Sequence, residues 1–417
     1  MLKNYISLLL LVLITISTSW ASDSKLFLAG FARSDITPSN EQIDNGDIRL
    51  GGMGLGFQVT GVYDHIFSRV FYLSNIKGEG ILFISLDAPG ISNRMIDELK
   101  KVGANLVRLP IDNIFVSVTH THSGPDLLGF WGGVSKDYKA EVITKTTQAI
   151  KDAYRNRTFA YLFLAQGEMK AENRRGHNLT DPAVTTIMVK AKNSNQYLGL
   201  LVNGAAHPVC NNTKNTQLSR DFVGVVEDEL EKKYGGTTIF LNGIAGDIDP
   251  PKNFMGSYPL AQEYGKMVAT GILDSLEKRT DFSSNAISVK SLSWIADIDN
   301  MLMIAAYTLG RLEHKLILTQ GFQIPLTVHT FYIGDLLSGI TFPGEPLTRL
   351  GLPLKEKLKT PFKMALSLTD NLIGYIIPDD ERGQGFNNNY EESIEMNANA
   401  SSQIANNLTT LLTQDVH

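Results

Sequence analysis

A single cysteine, Cys210, is present in 417 residues, so an intramolecular disulfide is impossible, and a Cys-rich zinc site or a lipid-modified N-terminal cysteine is excluded. Any bound metal must be held by histidine, carboxylate or phenolate, which narrows the search to eight histidines and their neighbours. Positive charge is short as well. With 38 Lys and Arg against 43 Asp and Glu, the net charge is -5, and nothing electrostatic points to nucleic acid, whose binding rests on clustered basic residues. No segment reaches the ~18 uninterrupted apolar residues of a transmembrane helix. Internal repeats and low-complexity stretches are absent too, which removes solenoids and propellers. What remains, 43% hydrophobic and 19% charged residues, is ordinary for a globular protein.

The N-terminus carries the one short apolar run. Lys3 precedes residues 6–16, too few to span a bilayer, and Ser19-Trp20-Ala21 places small residues where a signal peptidase cuts. Residues 1–21 are therefore expected to be a signal peptide, and the mature chain to be secreted or periplasmic with no integral membrane segment. A retained signal anchor is the competing reading.

Strands alternate with helices from about residue 26 to 377, with no Pro- or Ser-rich linker between them. The β-rich run 81–86, a helical pattern through Met95, Leu99 and Val102, and a second strand at 113–118 form a βαβ unit. Parallel strands need such a crossover, so the expected fold is α/β: a mixed, largely parallel sheet flanked by helices. Helices are predicted at 138–154, 221–233 and 258–276, and strands at 161–165, 198–203 and 238–241. From residue 286 onward strands dominate, including 327–333 and 338–342, which predicts an added antiparallel β region toward the C-terminus. Residues 394–417 are rich in Asn, Ser and Thr and read as a polar tail, helical or frayed.

In open α/β sheets, functional groups gather beyond the carboxyl ends of strands. His120 and His122 follow the strand ending at Val118, within Thr119-His-Thr-His-Ser-Gly-Pro125. His207 follows the 198–203 strand, and Glu345 follows the 338–342 strand within Pro-Gly-Glu-Pro. Were these strands neighbours, two imidazoles and a carboxylate would meet, a set suited to catalytic zinc with an open position. Zinc there lowers the pKa of its water toward ~7 and polarises a carbonyl or phosphoryl oxygen. In a strand-like His-x-His both rings share a face, so His122 could ligate or could donate to a developing oxyanion; the donor role is favoured. Each segment has a plain structural reading too: His207 before a proline suits a satisfied core histidine, and Pro-Gly-Glu-Pro suits a turn. His65, His314, His329 and His417 have no comparable setting and read as structural.

Taken together these segments resemble the catalytic region of the neutral/alkaline, non-lysosomal ceramidases. The match runs in order through Gly30-Phe-Ala-Arg-Ser-Asp-Ile-Thr-Pro38, Thr119 to Pro125, Asn173-Arg174, Ala206-His-Pro208, Gly246-Asp-Ile-Asp-Pro250, Pro343-Gly-Glu345, Asn371-Leu-Ile-Gly-Tyr375 and Tyr390-Glu391. The resemblance implies that His120, His207, Glu345 and Tyr375 ligate zinc, and that His122 and Arg174, or Arg175 in its place, hold the scissile carbonyl. Where the family has a serine, this chain has Asp249, a carboxylate able to relay a proton.

The resemblance implies a zinc-dependent amidohydrolase domain over 22–393, cleaving an N-acyl amide of a ceramide-like lipid, with no C-terminal β-sandwich domain after it. Two alternatives stay in view: hydrolysis of another ester, amide or phosphoester, because Asp249 stands where the family has serine, and a non-catalytic secreted zinc-binding protein.

Overall fold

The computed structural model describes residues 24–54, 56–211 and 214–414; the expected signal peptide and His417 lie outside them. Strands β1 (Phe27–Asp35), β2 (Phe67–Ser74) and β3 (Gly80–Leu86) pair antiparallel in sequence. Helix α1 (Asn93–Val107) then carries the chain over to β4 (Ile114–Val118), which lies parallel to β3, so the βαβ unit forms as the sequence predicts. Helix α2 (Lys136–Arg155) begins where the Ser135 hydroxyl accepts the Tyr138 N–H at 3.2 Å, one of the donors a helix start leaves free. It leads into β5 (Thr158–Glu168), a two-residue strand β6 (Glu172–Asn173), then β7 (Ala183–Ala191), β8 (Tyr197–Gly204), helix α3 (Asp221–Tyr234) and β9 (Thr237–Asn242).

Eight of these strands form one large sheet in the order β9-β8-β7-β5-β1-β2-β3-β4, with the short Thr280–Asp281 strand added on β5. The mixed α/β class holds. Parallel pairing, expected across most of the sheet, is confined to β9 with β8 and β4 with β3; the five pairs between are antiparallel. The connections explain this. Residues 75–79 and 192–196 are hairpin-short and 169–182 carry no helix, so none can make the crossover a parallel pair needs.

Beyond β9 come β10 (Ile248–Asp249), paired with β6, and helix α4 (Tyr258–Leu276). The antiparallel region expected after residue 286 is a second sheet. It contains β11 (Ile287–Asp297), which precedes helix α5 (Met301–Thr308), then β12 (Gln323–Ile333) and β13 (Leu337–Thr341). Next follow β14 (Glu345–Pro346), helix α6 (Thr348–Glu356), β15 (Phe362–Leu366) and β16 (Tyr375–Ile376). The second sheet runs β11-β12-β13-β15, antiparallel except for the last pair, and β14 lies parallel to β16. Residues 400–413 are a final helix, α7 (Ala400–Thr413), which buries Ile404, Leu408 and Leu411 at helical spacing and packs on β11, β12 and α6.

Both faces of the large sheet are covered. On β2, Val70 and Tyr72 point to the helical side, where Tyr72 meets Tyr154 of α2 edge-on. Phe71 and Leu73 point into the layer between the sheets, where Phe83 of β3 meets Phe331 of β12 at 6.0 Å. Two-sided burial is why these strands read as apolar runs rather than alternating ones. Asn203 fastens the two sheets: its side chain donates to Leu241 O and Ala365 O and accepts from Ala365 N–H. Among the described residues no helix is long and apolar enough to cross a membrane.

Candidate metal centre

Segments from the large sheet and from the small β14–β16 pair converge at one place. His120 follows β4, His207 follows β8, Glu345 opens β14 just after β13, and Tyr375 opens β16. Asn242, buried at the end of β9, ties two of these loops by donating its amide to Thr119 O and Ala206 O. In the β14–β16 pairing Glu345 and Tyr375 are register partners, which sets the carboxylate and the phenol side by side.

Backbone geometry aims the rings. His120 adopts φ 69°, a left-handed conformation rare outside glycine and costing about 1–3 kcal/mol. The strand alternation expected to align His120 and His122 is therefore not what aligns them. A tight turn does so, held by His120 N–H to Ala88 O and His122 N–H to Pro208 O, both at 3.1 Å. The His120 and His122 rings lie 4.7 Å apart, nearly perpendicular, and the His207 ring is 4.7 and 5.4 Å from them.

The hydrogen bonds around the cluster fix which ring nitrogens face inward. Nδ1 of His120 donates to Pro89 O, and Nδ1 of His207 to Ile248 O at 3.2 Å, so each Nε2 presents a lone pair. These lone pairs face Glu345 Oε2 from 3.2 and 3.1 Å. Three acceptors at such distances repel one another unless a proton or a metal ion lies among them, and the pair of imidazoles with a carboxylate is a zinc-type donor set. His120, His122 and His207 bring ligand atoms within 4.8 Å of one another and could hold a metal ion. His122 Nε2 is 3.2 Å from His120 Nε2, so ligation and donation to a substrate are both within its reach.

The electrostatics are consistent with that set. Burial raises the Glu345 carboxyl, and only positive charge beside it, which the His120 and His207 rings give when protonated, holds it well below the usual carboxylate range; a cation among the three groups supplies the same charge. Burial, then His120 and His207, keeps the His122 imidazole well below the usual histidine range and so neutral. Burial and the Glu345 charge push the Tyr375 phenol up, against the pull of Arg174; a bound dication acts in the opposite sense, toward phenolate.

Of the two candidate arginines, Arg174 is the one at the site. It donates through Nε to Glu391 at 3.0 Å, through Nη1 to Asp249 at 3.0 Å, and through Nη2 to the Tyr375 hydroxyl oxygen at 3.1 Å and to Gly246 O. Its Nη1 also lies 3.5 Å from His207 Nδ1. These contacts take four of its five N–H groups and set its side chain beside Tyr375 and Asp249. Arg175 turns away, buried between Glu381 and Glu392 and under Phe386. The Asp249 carboxylate meets the cluster through Arg174 Nη1.

A largely apolar pocket opens onto the cluster. Leu128, Phe130, Trp131, Leu312, Leu372 and Met396 are among its walls, with His120, His122, Glu345 and Tyr375 supplying the polar end.

No family model matches the chain. Neutral ceramidase of Drosophila pseudoobscura pseudoobscura is 25% identical over 287 residues, 59% of this chain and 39% of that protein. The Drosophila melanogaster neutral ceramidase is 24% identical over 273 residues, 56% of this chain and 37% of its own length. The chain thus spans about two fifths of these curated relatives. In fold it superposes on a neutral ceramidase crystal structure from Pseudomonas aeruginosa with a TM-score of 0.73 and 15% identity, covering 94% of this chain and 75% of that one. A ceramidase complexed with C2 gives 0.74 at 14% identity, covering 93% and 75%. The chain resembles neutral ceramidases in sequence and in fold.

The ceramidase-like motifs do not mark every residue that builds this site. Gly52 is one that sequence reasoning missed. At φ 91° it lies against the His122 ring, and an added Cβ would sit 2.6 Å from His122 Cγ. Gly52→Ala is expected to displace that ring and lower turnover by about 100-fold with metal content unchanged, measured by steady-state kinetics and metal analysis. Asp126 is another: its carboxylate accepts the N–H groups of Leu128, Gly129, Trp131 and Gly133 and so shapes the loop that carries Phe130 and Trp131 into the pocket. A single Asp gave no signal in sequence.

Away from the cluster, His314 is held by two hydrogen bonds in the core. His314 takes the Asn93 N–H on Nδ1 at 3.0 Å and gives its Nε2 proton to Leu372 O at 2.9 Å. Burial pushes its pKa down to about 4, below the ~6.5 of an unfolded histidine. Above pH ~6.5 both states are neutral at this position. As pH falls toward 4 the unfolded chain takes the proton first, and stability falls by up to ~1.4 kcal/mol per pH unit for this one group. Urea unfolding between pH 7 and pH 5 checks this, with His314→Gln flattening the slope by one group's share.

Proposed function

We propose that the chain is an exported zinc-dependent amidohydrolase that cleaves the N-acyl bond of a ceramide-like lipid. The observation that carries this reading is the meeting of two imidazole lone pairs and the Glu345 carboxylate at the inner end of an apolar pocket. Under this reading His120, His207, Glu345 and Tyr375 hold the metal. Zinc bound there supplies a Lewis acid and an activated water.

The chain's own groups do the rest. The apolar walls take the acyl chain and exclude water, which strengthens every polar interaction at the pocket's inner end. His122, neutral and at the pocket wall, donates a ring N–H to the carbonyl oxygen as negative charge develops there; one such donor typically contributes ~3 kcal/mol to the transition state. Arg174 holds the Tyr375 oxygen and one oxygen of Asp249, leaving Asp249 Oδ2 to accept a proton and pass it to the leaving nitrogen. The apolar lining favours an N-acyl lipid over a phosphoester, since phosphate binding calls for a concentration of positive charge that Arg174, already paired with Asp249 and Glu391, does not offer.

Assay of the purified protein against N-acyl lipids, acyl esters and phosphoesters tests the reading. Fatty acid should be released from the amides, lost on chelation and restored by zinc. Release from none of the amides would overturn it.

A further inference from the structure

Helix α5 breaks the usual pattern of a surface helix. From Met301 to Leu309 the sequence is Met-Leu-Met-Ile-Ala-Ala-Tyr-Thr-Leu, without one charged residue. One side packs inward through Met303 and Ala306. The other side should be polar and carries one polar side chain, Thr308, among exposed apolar ones: Met301 is 73% exposed, Leu302 53% and Leu309, just past the helix, 76%. A helix so nearly apolar all round belongs in a core or against lipid.

Its position says which. Met303, on the inward side of the same helix, lines the pocket that ends at the metal centre, and so does Leu312 on the segment that follows. The helix is anchored to the pocket's opposite wall, because the Asn300 side chain donates to the carbonyls of Glu392, Ser393 and Glu395, which flank the lining residues Ile394 and Met396. Tyr390, another lining residue, is 43% exposed, and Phe130 and Trp131 are half-buried there. The exposed apolar face of α5 is therefore the outer side of a helix whose inner side lines the pocket. An aromatic with a polar tip at such a boundary is what a water–lipid interface favours.

We propose that the exposed face of α5, formed by Met301, Leu302 and Leu309, docks on the surface of a lipid bilayer and delivers membrane-resident substrate to the pocket. A bilayer fits this face better than a protein partner because the same apolar chemistry lines the pocket behind it. A substrate whose chains fill that pocket is itself held in a bilayer before it enters. The proposal extends the lipid-amide reading, but its first readout does not need catalysis.

The test uses the zinc-loaded chain from Ser22 onward, which contains every described element, mixed with phosphatidylcholine vesicles and separated by flotation. The wild type should float. A variant with Met301→Glu, Leu302→Glu and Leu309→Glu should lose at least about tenfold in partition. Its turnover of a water-soluble short-chain N-acyl amide should be unchanged, and its turnover of long-chain substrate embedded in vesicles should fall. Leu309→Glu alone, beyond the helix end, gives a smaller loss in the same direction and guards against misfolding of the triple variant. A wild type that stays in solution, or a triple variant that floats equally well, overturns the proposal. So does a wild-type dimer that the variant converts to monomer, since the face would then be covered by a second copy. A chain that floats yet hydrolyses no N-acyl lipid keeps the docking face and sinks the amidohydrolase reading instead.

Discussion

Glu345→Gln is expected to abolish zinc binding and hydrolysis together. The substitution preserves shape but removes the one anion that the Nε2 atoms of His120 and His207 face, and without it the site offers only imidazole nitrogens and a buried phenol. Metal content should drop from about one zinc per chain to below about a tenth, and turnover by at least ~1000-fold. The fold should survive, because Glu345 N–H to Gly374 O and the β14–β16 pairing rest on backbone. Elemental analysis and steady-state rates on the same preparation decide it. Full zinc occupancy in the variant would remove Glu345 from the ligand set.

His122→Ala separates the second role from the first. If His122 donates to the carbonyl oxygen, its loss should cost about 100- to 1000-fold in kcat, the usual effect of deleting one such donor, with zinc still bound and KM little changed. Loss of zinc in this variant would instead make His122 a ligand, the role its 3.2 Å approach to His120 Nε2 also permits. The Gly52→Ala variant completes the comparison, since it moves the ring without deleting it.

Much of the fold was legible because periodicity is a local signal. The 258–276 helix is found at those bounds as α4, and the βαβ unit at 81–118 follows from two β-rich runs around a 3.6-residue pattern. Strand order was not legible. The pairing of β1 with β5 joins residues more than a hundred positions apart, and apolar strands buried on both faces carry no mark of direction.

At the site, histidines after strand ends were readable because strand ends are where chemistry collects. Tyr375, Arg174 and Asp249 were not readable from their own surroundings and came only through the resemblance. The choice between Arg174 and Arg175 needed coordinates: the two sit in the turn after β6 and point opposite ways, one to Asp249 and one to Glu381. Asn242, Gly52 and Asp126 act through backbone groups and close approach, which single residues do not announce.

The central claim is that side chains scattered from residue 120 to residue 375 share one cation. X-ray absorption at the zinc edge of the purified protein tests it most directly. The account predicts about one zinc per chain in a shell of nitrogen and oxygen at ~2.0–2.2 Å that includes two imidazoles. A sulfur neighbour at ~2.3 Å, which only Cys210 or a methionine could supply, or a zinc-free protein that still hydrolyses its substrate, would contradict it.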